Sequence, residues 1–447
     1  MTIVEKTVSR TQEQSVEQAA IAYLQTPQAI RERAQQLFKL CQSDQLEHFA
    51  CNLDKLDEVA AYVVSTTQKN YPDFDVPFHS RWRHFDVGGV PRLARLNQAL
   101  EKQTPPSDSL TGSFQIARSQ IDLAVVSVLL DAGAGSQWRF HDLVNLRDAQ
   151  QPLQRSEGLA VASLCAFEQG LFSSDSAAPY QVDAAGLQNL TQAKLAQAFQ
   201  VSQDNPLIGL SGRLNLLQKL GETLENLSDL SNPALARPSD LLDRCILGRQ
   251  VAHAVEDQDQ EQKIELDAGA LLSEVLTSFG AIWPGRIAIA QTNLGDVWPH
   301  PQLPDTSLGT NLVPFHKLSQ WLTYSLVEPL ATAGVTVTNL KALTGLAEYR
   351  NGGLCLDMGL LLPKHSGVTD TSHAPGSPVV VEWRALTIVL LDLIGDRVQR
   401  LLGKSPEELP LIKVLEGGTW AAGRQIAKQL RPMGAPPITI QSDGTVF

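Results

Sequence analysis

Six stretches of the chain gather residue types that could bind or activate a small substrate. The first, VPFHSRWRHFDVGGVPR (76–92), sets His79, Arg81, Arg83, His84 and Arg92 beside Gly88 and Gly89. Arginine offers a planar fork to carboxylate or phosphate, and glycine lets backbone amides approach a ligand, so an anion pocket is one reading. An ion-pair hub tying acidic helices together is the other, and both stay open. The second, IDLAVVSVLLDAGAGSQWRF, runs an apolar helix into Asp131, Gly133, Gly135 and Trp138. Asp131 and Trp138 could wall a pocket, the indole stacking on a planar ligand, or the segment could be a buried helix closed by a glycine turn. In the third, LVPFHKLSQWLTYSL, Pro314 is expected to open a helix whose first turns carry His316, Lys317 and Gln320. Lys317 and Gln320 share a face there and could join helix amides in holding an anion, unless that face is simply solvated.

The fourth stretch, NLKALTGLAEYRNGGLCLDMGLL, places Glu348, Tyr349 and Arg350 at the expected end of an apolar helix, before a turn at Asn351-Gly352-Gly353. A carboxylate at such a junction can face a cleft. In the fifth, VVVEWRALTIVLL, Glu382, Trp383 and Arg384 interrupt an apolar run, so their charges must be paired or must line a cavity. The sixth, EGGTWAAGRQIAKQLRPMGAPPITIQSDGTVF, holds Glu416, Trp420, Arg424, Arg431 and Asp443 without a pattern that assigns them a role. H-E-x-x-H, G-x-S-x-G, C-x-x-C, Walker and kinase patterns are absent from the sequence, so neither a dedicated nucleophile nor a zinc site is expected, and no metal or other cofactor is implied.

The elements that must position these residues read as mainly α. Thr26-Pro27 before AIRERAQQLFKL is a helix start, and Ile30, Ala34, Leu37 and Phe38 fall on one face. Further helices are expected over SEGLAVASLCAFEQGLF with Ser156 as cap, from Asp183, from Pro206, over LDAGALLSEVLTSFG, from Pro314, and over VEWRALTIVLLDLIGDRVQRLL. Strands are expected near Tyr180, at TVTN before Leu340, and as a hairpin in the terminal ITIQSDGTVF. Residues 1–20 read as a flexible polar tail and 21–447 as one helical catalytic domain, with 231–240 the place for any sub-domain break. The Pro/Gly-rich segment 362–378 is a surface loop or an active-site lid, and VEDQDQEQ (255–262) a solvated charged turn.

Composition narrows the partners. The 447 residues carry 36 Lys and Arg against 48 Asp and Glu, a formal charge of −12, with 43% hydrophobic residues. That suits a folded body and disfavours a nucleic-acid polymer, whose phosphates need many cations, but leaves room for one small anion. Five scattered cysteines suggest a reducing compartment, and no apolar run approaches the ~20 residues that span a bilayer, so a cytoplasmic protein without a membrane segment is expected.

The segments HSRWRHF, VVSVLLDAGAGSQWRF, RSEGLAVAS, FQVSQDNPLIGLSGR, LTGLAEYRNGGLCLDMGLL and GGTWAAGRQIAKQLRPMGAPPITIQSDGTVF, in this order, resemble the uracil catabolism protein 4 family over nearly the whole chain. That family is named for a route that opens the ring of a uracil nucleotide and finally releases urea. More remotely, VPFHKLSQWL, LTGLAEYRNGGLCLDMGLL and VVVEWRALTIVLLDLI are similar to three segments of the queuosine salvage N-glycosidases. This second resemblance implies an all-α, DNA-glycosylase-like body and carries the family's catalytic carboxylate onto Glu348, where that family has aspartate. Together the resemblances imply hydrolysis of an N-glycosidic bond in a phosphorylated riboside, most specifically ribosylurea 5'-phosphate to urea and ribose 5-phosphate. The substrate contacts would come from His79, Arg81, Asp131, Trp138, Lys317, Gln320, Arg350, Glu382, Trp383 and Arg384. An amidohydrolase acting on a ring-opened pyrimidine nucleotide, and a non-catalytic partner of the ring-opening enzyme, are the alternatives.

Overall fold

The computed structural model describes residues 3–103, 109–142, 151–229, 231–253, 264–283 and 286–441. Among them the chain is mainly α-helical, with short two-stranded β pairings as accessories. It forms two compact units built from discontinuous segments. The first takes Met1–His79, Pro284–Gln320 and Leu340–Ser442; the second takes Ser80–Trp283 and Trp321–Asn339. Residues 231–240, the expected place for a break, lie inside the second unit.

The first unit is organised around the 25-residue helix Pro378–Leu402, which buries an almost unbroken run from Val379 to Leu391. Pro27–Gln42 and Leu56–Asn70 pack against it, and Ile30, Ala34 and Leu37 of the one and Val59 and Val63 of the other are buried. The start of Pro27–Gln42 follows the sequence reading: Thr26 accepts the Ala29 amide and Pro27 occupies the first turn, where its missing N–H costs nothing. Residues 3–24, largely read as a tail, are helical. Strand Phe49–Cys51 runs antiparallel to Leu361–Pro363 with Ala50 opposite Leu362, and Val297–Pro299 runs antiparallel to Leu312–Pro314. Segment 362–378 is therefore not an open loop; besides that strand it holds the short helix Gly367–Asp370 and the strand Ser372–His373. Ser372–His373 pairs in parallel with Thr439–Ile440, so this part of the expected terminal hairpin is engaged elsewhere; the Asp443-Gly444 turn lies outside the described residues.

The second unit is a helical assembly in which Ser109–Leu129 packs on Arg155–Glu168, and Leu210–Leu227 on Ala184–Gln188. Asp183 caps a helix where the sequence reading starts one, and Asp267 caps Ala268–Phe279 within the expected LDAGALLSEVLTSFG helix. The helix expected to run on from Asp183 breaks in two because Thr191 caps a new one, accepting the Lys194 amide. The helix expected from Pro206 starts at Leu210, after Gly209 in a left-handed conformation. Ser156 is not a cap: the helix begins at Arg155, and the Ser156 hydroxyl donates to Asp131 at 2.9 Å. No strand forms near Tyr180, whereas Val335–Thr338 pairs in parallel with Ile264–Asp267. Residues 255–262 lie outside the described residues. No helix among the described residues is long and apolar enough to cross a membrane.

Candidate active site

Glu348 occupies the reverse of its expected position. It is the N-cap of the helix Tyr349–Asp357 rather than the end of a preceding one, and Asn351, Gly352 and Gly353 lie inside that helix. Its Oε1 accepts the Asn351 amide at 2.7 Å and its Oε2 the Arg350 amide at 3.0 Å. Glutamate is not among the usual capping residues, whose shorter side chains reach these amides with less loss of rotamer freedom. The helix N-terminus gives the carboxylate a fixed orientation, and 8% of the residue remains accessible. Gly352 is required by close packing: a Cβ there would lie 2.6 Å from Nε1 of Trp383. Trp383, expected among the substrate contacts, is a buried support beneath this helix.

Next to Glu348 lies an ion pair, between buried Arg384 and half-buried Asp296, that the sequence reading did not contain. Arg384 forks onto Asp296 with both contacts at 2.7 Å, and its Nε donates to the carbonyl of Ala347 at 3.3 Å. Asp296 also accepts the Trp298 indole N–H at 2.8 Å and the Lys317 amide at 3.1 Å. Burial alone would raise the Asp296 pKa, but the Arg384 guanidinium and these donors outweigh it and hold the carboxyl well below the usual range. The terminal nitrogens of Arg384 that would bind a phosphate thus serve Asp296. Phe315 lies under the guanidinium, 4.0 Å from ring centroid to Cζ.

The helix carrying Lys317 and Gln320 starts at Lys317, not Pro314, because Leu312–Pro314 is a strand and His316 adopts φ 47°. Gln320 is buried and serves structure: its oxygen accepts the Thr344 amide at 3.0 Å and its Nε2 donates to Thr344 Oγ1 at 2.9 Å. Glu382 is also buried. Its Oε2 accepts the His48 amide at 3.1 Å, and its Oε1 faces His300 Nε2 at 3.4 Å. His300 Nδ1 accepts the Gln302 amide, which leaves the imidazole proton on Nε2, toward Glu382.

A third group uses the terminal motif to which sequence alone assigned no role. Leu415–Thr419 forms a π-helical turn, in which Gly417 and Gly418 allow close approach to Thr67, Val76 and Val63. Such insertions redirect side chains and are frequent at functional sites. Glu416 in this turn accepts from His79 Nδ1 at 2.7 Å and from the Tyr71 hydroxyl at 3.2 Å. The His79 ring lies 6.2 Å from that of Trp420, and the Arg350 guanidinium stands 4.1 Å from the Trp420 centroid. Tyr71, His79, Glu416, Trp420 and Arg350 thereby form one chain of contacts ending two residues from Glu348. The interacting partners Asp296, His300 and Glu416 could not be assigned from spacing, since each meets its partner across a long stretch of chain.

Arg81, Asp131 and Trp138 belong to the second unit and are committed to its interior. Arg81 is completely buried and donates to Ser127 at 2.7 Å and to Ser156 at 3.1 Å, while its Nη1 pairs with Asp131 at 3.1 Å. This is the ion-pair-hub alternative rather than an open anion pocket. Trp138 is fully buried, stacks on Phe199 and donates its indole N–H to the Phe199 carbonyl at 2.9 Å. It is a core residue rather than an exposed stacking wall.

A mainly α-helical protein is therefore defined, whose first unit joins a helix-capping glutamate, an Arg–Asp fork and a His–Glu pair. The chain belongs to the family described as protein of unknown function (DUF1688), whose model matches residues 23–447. It is 41% identical over 432 residues to "Protein urg3" of Schizosaccharomyces pombe, covering 96% of this chain and 99% of that one. It is 35% identical over 458 residues to "Uracil catabolism protein 4" of Lachancea kluyveri, with 96% and 99% covered.

Proposed function

We propose that this protein is an enzyme of uracil catabolism that hydrolyses the N-glycosidic bond of ribosylurea 5'-phosphate, giving urea and ribose 5-phosphate. The pathway comes from the printed name of the Lachancea kluyveri relative, and the reaction class from the resemblance to the queuosine salvage N-glycosidases, whose DNA-glycosylase-like body this reading extends to the first unit. The observation that carries the reading is the setting of Glu348, held by two backbone amides, with Arg384 bonded to the adjacent carbonyl and Arg350 against Trp420.

Cleavage of the bond from C1' to nitrogen develops positive charge on the ribose ring, which a fixed carboxylate stabilises. In this scheme Glu348 lies beneath C1' and takes a proton from the attacking water as its oxygen bonds to C1'. The electron pair of the broken bond goes to the urea nitrogen, which must gain a proton. His79 fits that donor when it enters the step as the imidazolium: Glu416 accepts from Nδ1–H, Nε2–H passes to the urea nitrogen, and the proton that Glu348 takes from water balances the one His79 gives up. Trp420 supplies the wall for the planar urea group, in place of Trp383 and Trp138. Lys317, at the head of a 16-residue helix, supplies charge for the 5'-phosphate. Arg384 positions Asp296 and Ala347.

The test is turnover of synthetic ribosylurea 5'-phosphate by wild type and Glu348→Gln. The amide keeps one of the two oxygen acceptors of the cap and removes the negative charge, so kcat should fall by about 10²–10³-fold with circular dichroism unchanged. Equal urea release by the variant would refute the role of Glu348, and absence of release by folded wild type would refute the reaction.

A further inference from the structure

We propose that Cys41 and Cys51 form a site of reversible oxidative modification, a dithiol that hydrogen peroxide converts to a disulfide. All five cysteines are free thiols, and Sγ of Cys41 lies 2.8 Å from Sγ of Cys51. That is shorter than the ~3.5–4.0 Å of a non-bonded contact between the smaller carbon atoms, and a small movement from the ~2.05 Å of a disulfide. The pairing depends on long-range packing. Cys41 sits in the last turn of Pro27–Gln42, and Cys51 ends the strand Phe49–Cys51, which is held by its antiparallel partner Leu361–Pro363. The reversal between them returns the chain onto the helix and brings the two sulfurs face to face.

Either sulfur can carry the proton they share, and Cys41 also faces the Phe49 carbonyl at 3.8 Å. The contact with Cys51 favours the thiolate of Cys41 against the opposing effects of burial and of Glu382, with Lys364 assisting; the contact with Cys41 and burial push the Cys51 thiol up. We take Cys41 as the attacking sulfur and Cys51 as the resolving one, and the chemistry balances equally with the two exchanged. Cys41 is 5% exposed and Cys51 half-buried, so a small peroxide is the oxidant whose size suits attack by Cys41. Cys41 thiolate attacks one peroxide oxygen, the O–O bond breaks, and the departing hydroxide takes a proton to give water and a Cys41 sulfenic acid. Cys51 then loses its proton and attacks the Cys41 sulfur; the S–O bond breaks and a second water leaves. Two thiols and one peroxide thus yield one disulfide and two waters. The intervening turn carries His48, whose amide bonds to Glu382, so the bridge would tighten a segment that contacts a buried carboxylate.

The reading does not depend on the proposed reaction, and its test reads the covalent bond itself. Reduced full-length protein is treated with hydrogen peroxide, alkylated and digested. The expected result is a Cys41–Cys51 cross-linked peptide, loss of two alkylatable thiols from five, and recovery of both with dithiothreitol. Cys51→Ser should abolish the cross-link, leaving Cys41 as sulfenic or sulfinic acid, while Cys165→Ser should retain it. Alkylation of both Cys41 and Cys51 after peroxide, a Cys51–Cys355 link, or oxidation of both sulfurs without a link would each overturn the proposal. If Cys51→Ser does not fold, peroxide treatment of wild type alone still decides between these outcomes.

Discussion

Glu348 shows how far a single side chain can be judged from its neighbours in sequence. Its type and its place beside a glycine pair mark it as a candidate, but its local geometry runs opposite to expectation, because Gly352 and Gly353 are helical. Charges inside apolar runs were legible for the same reason that they are costly: Glu382 and Arg384 had to find partners, and both do. The partners themselves were not legible. Asp296 is 88 residues from Arg384, and nothing in its own neighbourhood marks it as the partner of a buried guanidinium. His316 offers a test at this scale. It is held at positive φ, its Nε2 hydrogen-bonds to the Leu24 carbonyl, and burial depresses its pKa from 6.5 despite that bond and Asp296, with Arg384 acting in the same direction as burial. Above 6.5 the imidazole is neutral in folded and unfolded chains alike, and its contribution is fully present. As pH falls below 6.5 the unfolded chain takes up a proton that the folded one resists, so stability is lost down to the folded pKa. His316→Asn, which tolerates the same φ and can donate to Leu24, should flatten this part of the pH dependence of urea unfolding midpoints. Unchanged pH dependence would contradict the account.

Helices were more legible than the turns between them. Helix starts marked by a short polar side chain, Thr26 and Asp183, fall where the sequence places them, since the bond they make is local. The start assigned to Pro314 failed because strand pairing with Val297–Pro299 claims that residue, and the start assigned to Ser156 failed because its hydroxyl is drawn to Asp131. The helix Tyr349–Asp357 depends on contact with Pro378–Leu402, and Gly352→Ala probes it. The added methyl would meet the Trp383 indole at 2.6–2.7 Å, so we expect a loss of about 1–3 kcal/mol in denaturant unfolding and a further fall in kcat as the Glu348 cap shifts. A neutral substitution would mean that the helix carrying the cap can move without cost.

At the scale of the molecule, the helical class followed from apolar periodicity, whereas the division into two units did not. Each unit is assembled from distant segments, and the strand pairs join residues such as Phe49 and Pro363 that no local pattern connects. The charge of −12 acquires a narrower meaning if the substrate is a single phosphorylated sugar. Basic residues that sequence offered as substrate contacts serve internal pairs, Arg81 with Asp131 and Arg384 with Asp296. The central claim is that the bond cut is the one between sugar and nitrogen, and isotope placement tests it most directly. Wild-type protein is incubated with ribosylurea 5'-phosphate in ¹⁸O-water, and the products are followed from the first turnovers by mass spectrometry. The account predicts intact urea with an unlabelled carbonyl oxygen, formed in step with ribose 5-phosphate and dependent on the Glu348 carboxylate. Release of ammonia with ¹⁸O in the carbamoyl carbon's products would mean that the amide bond is cut, and would contradict it.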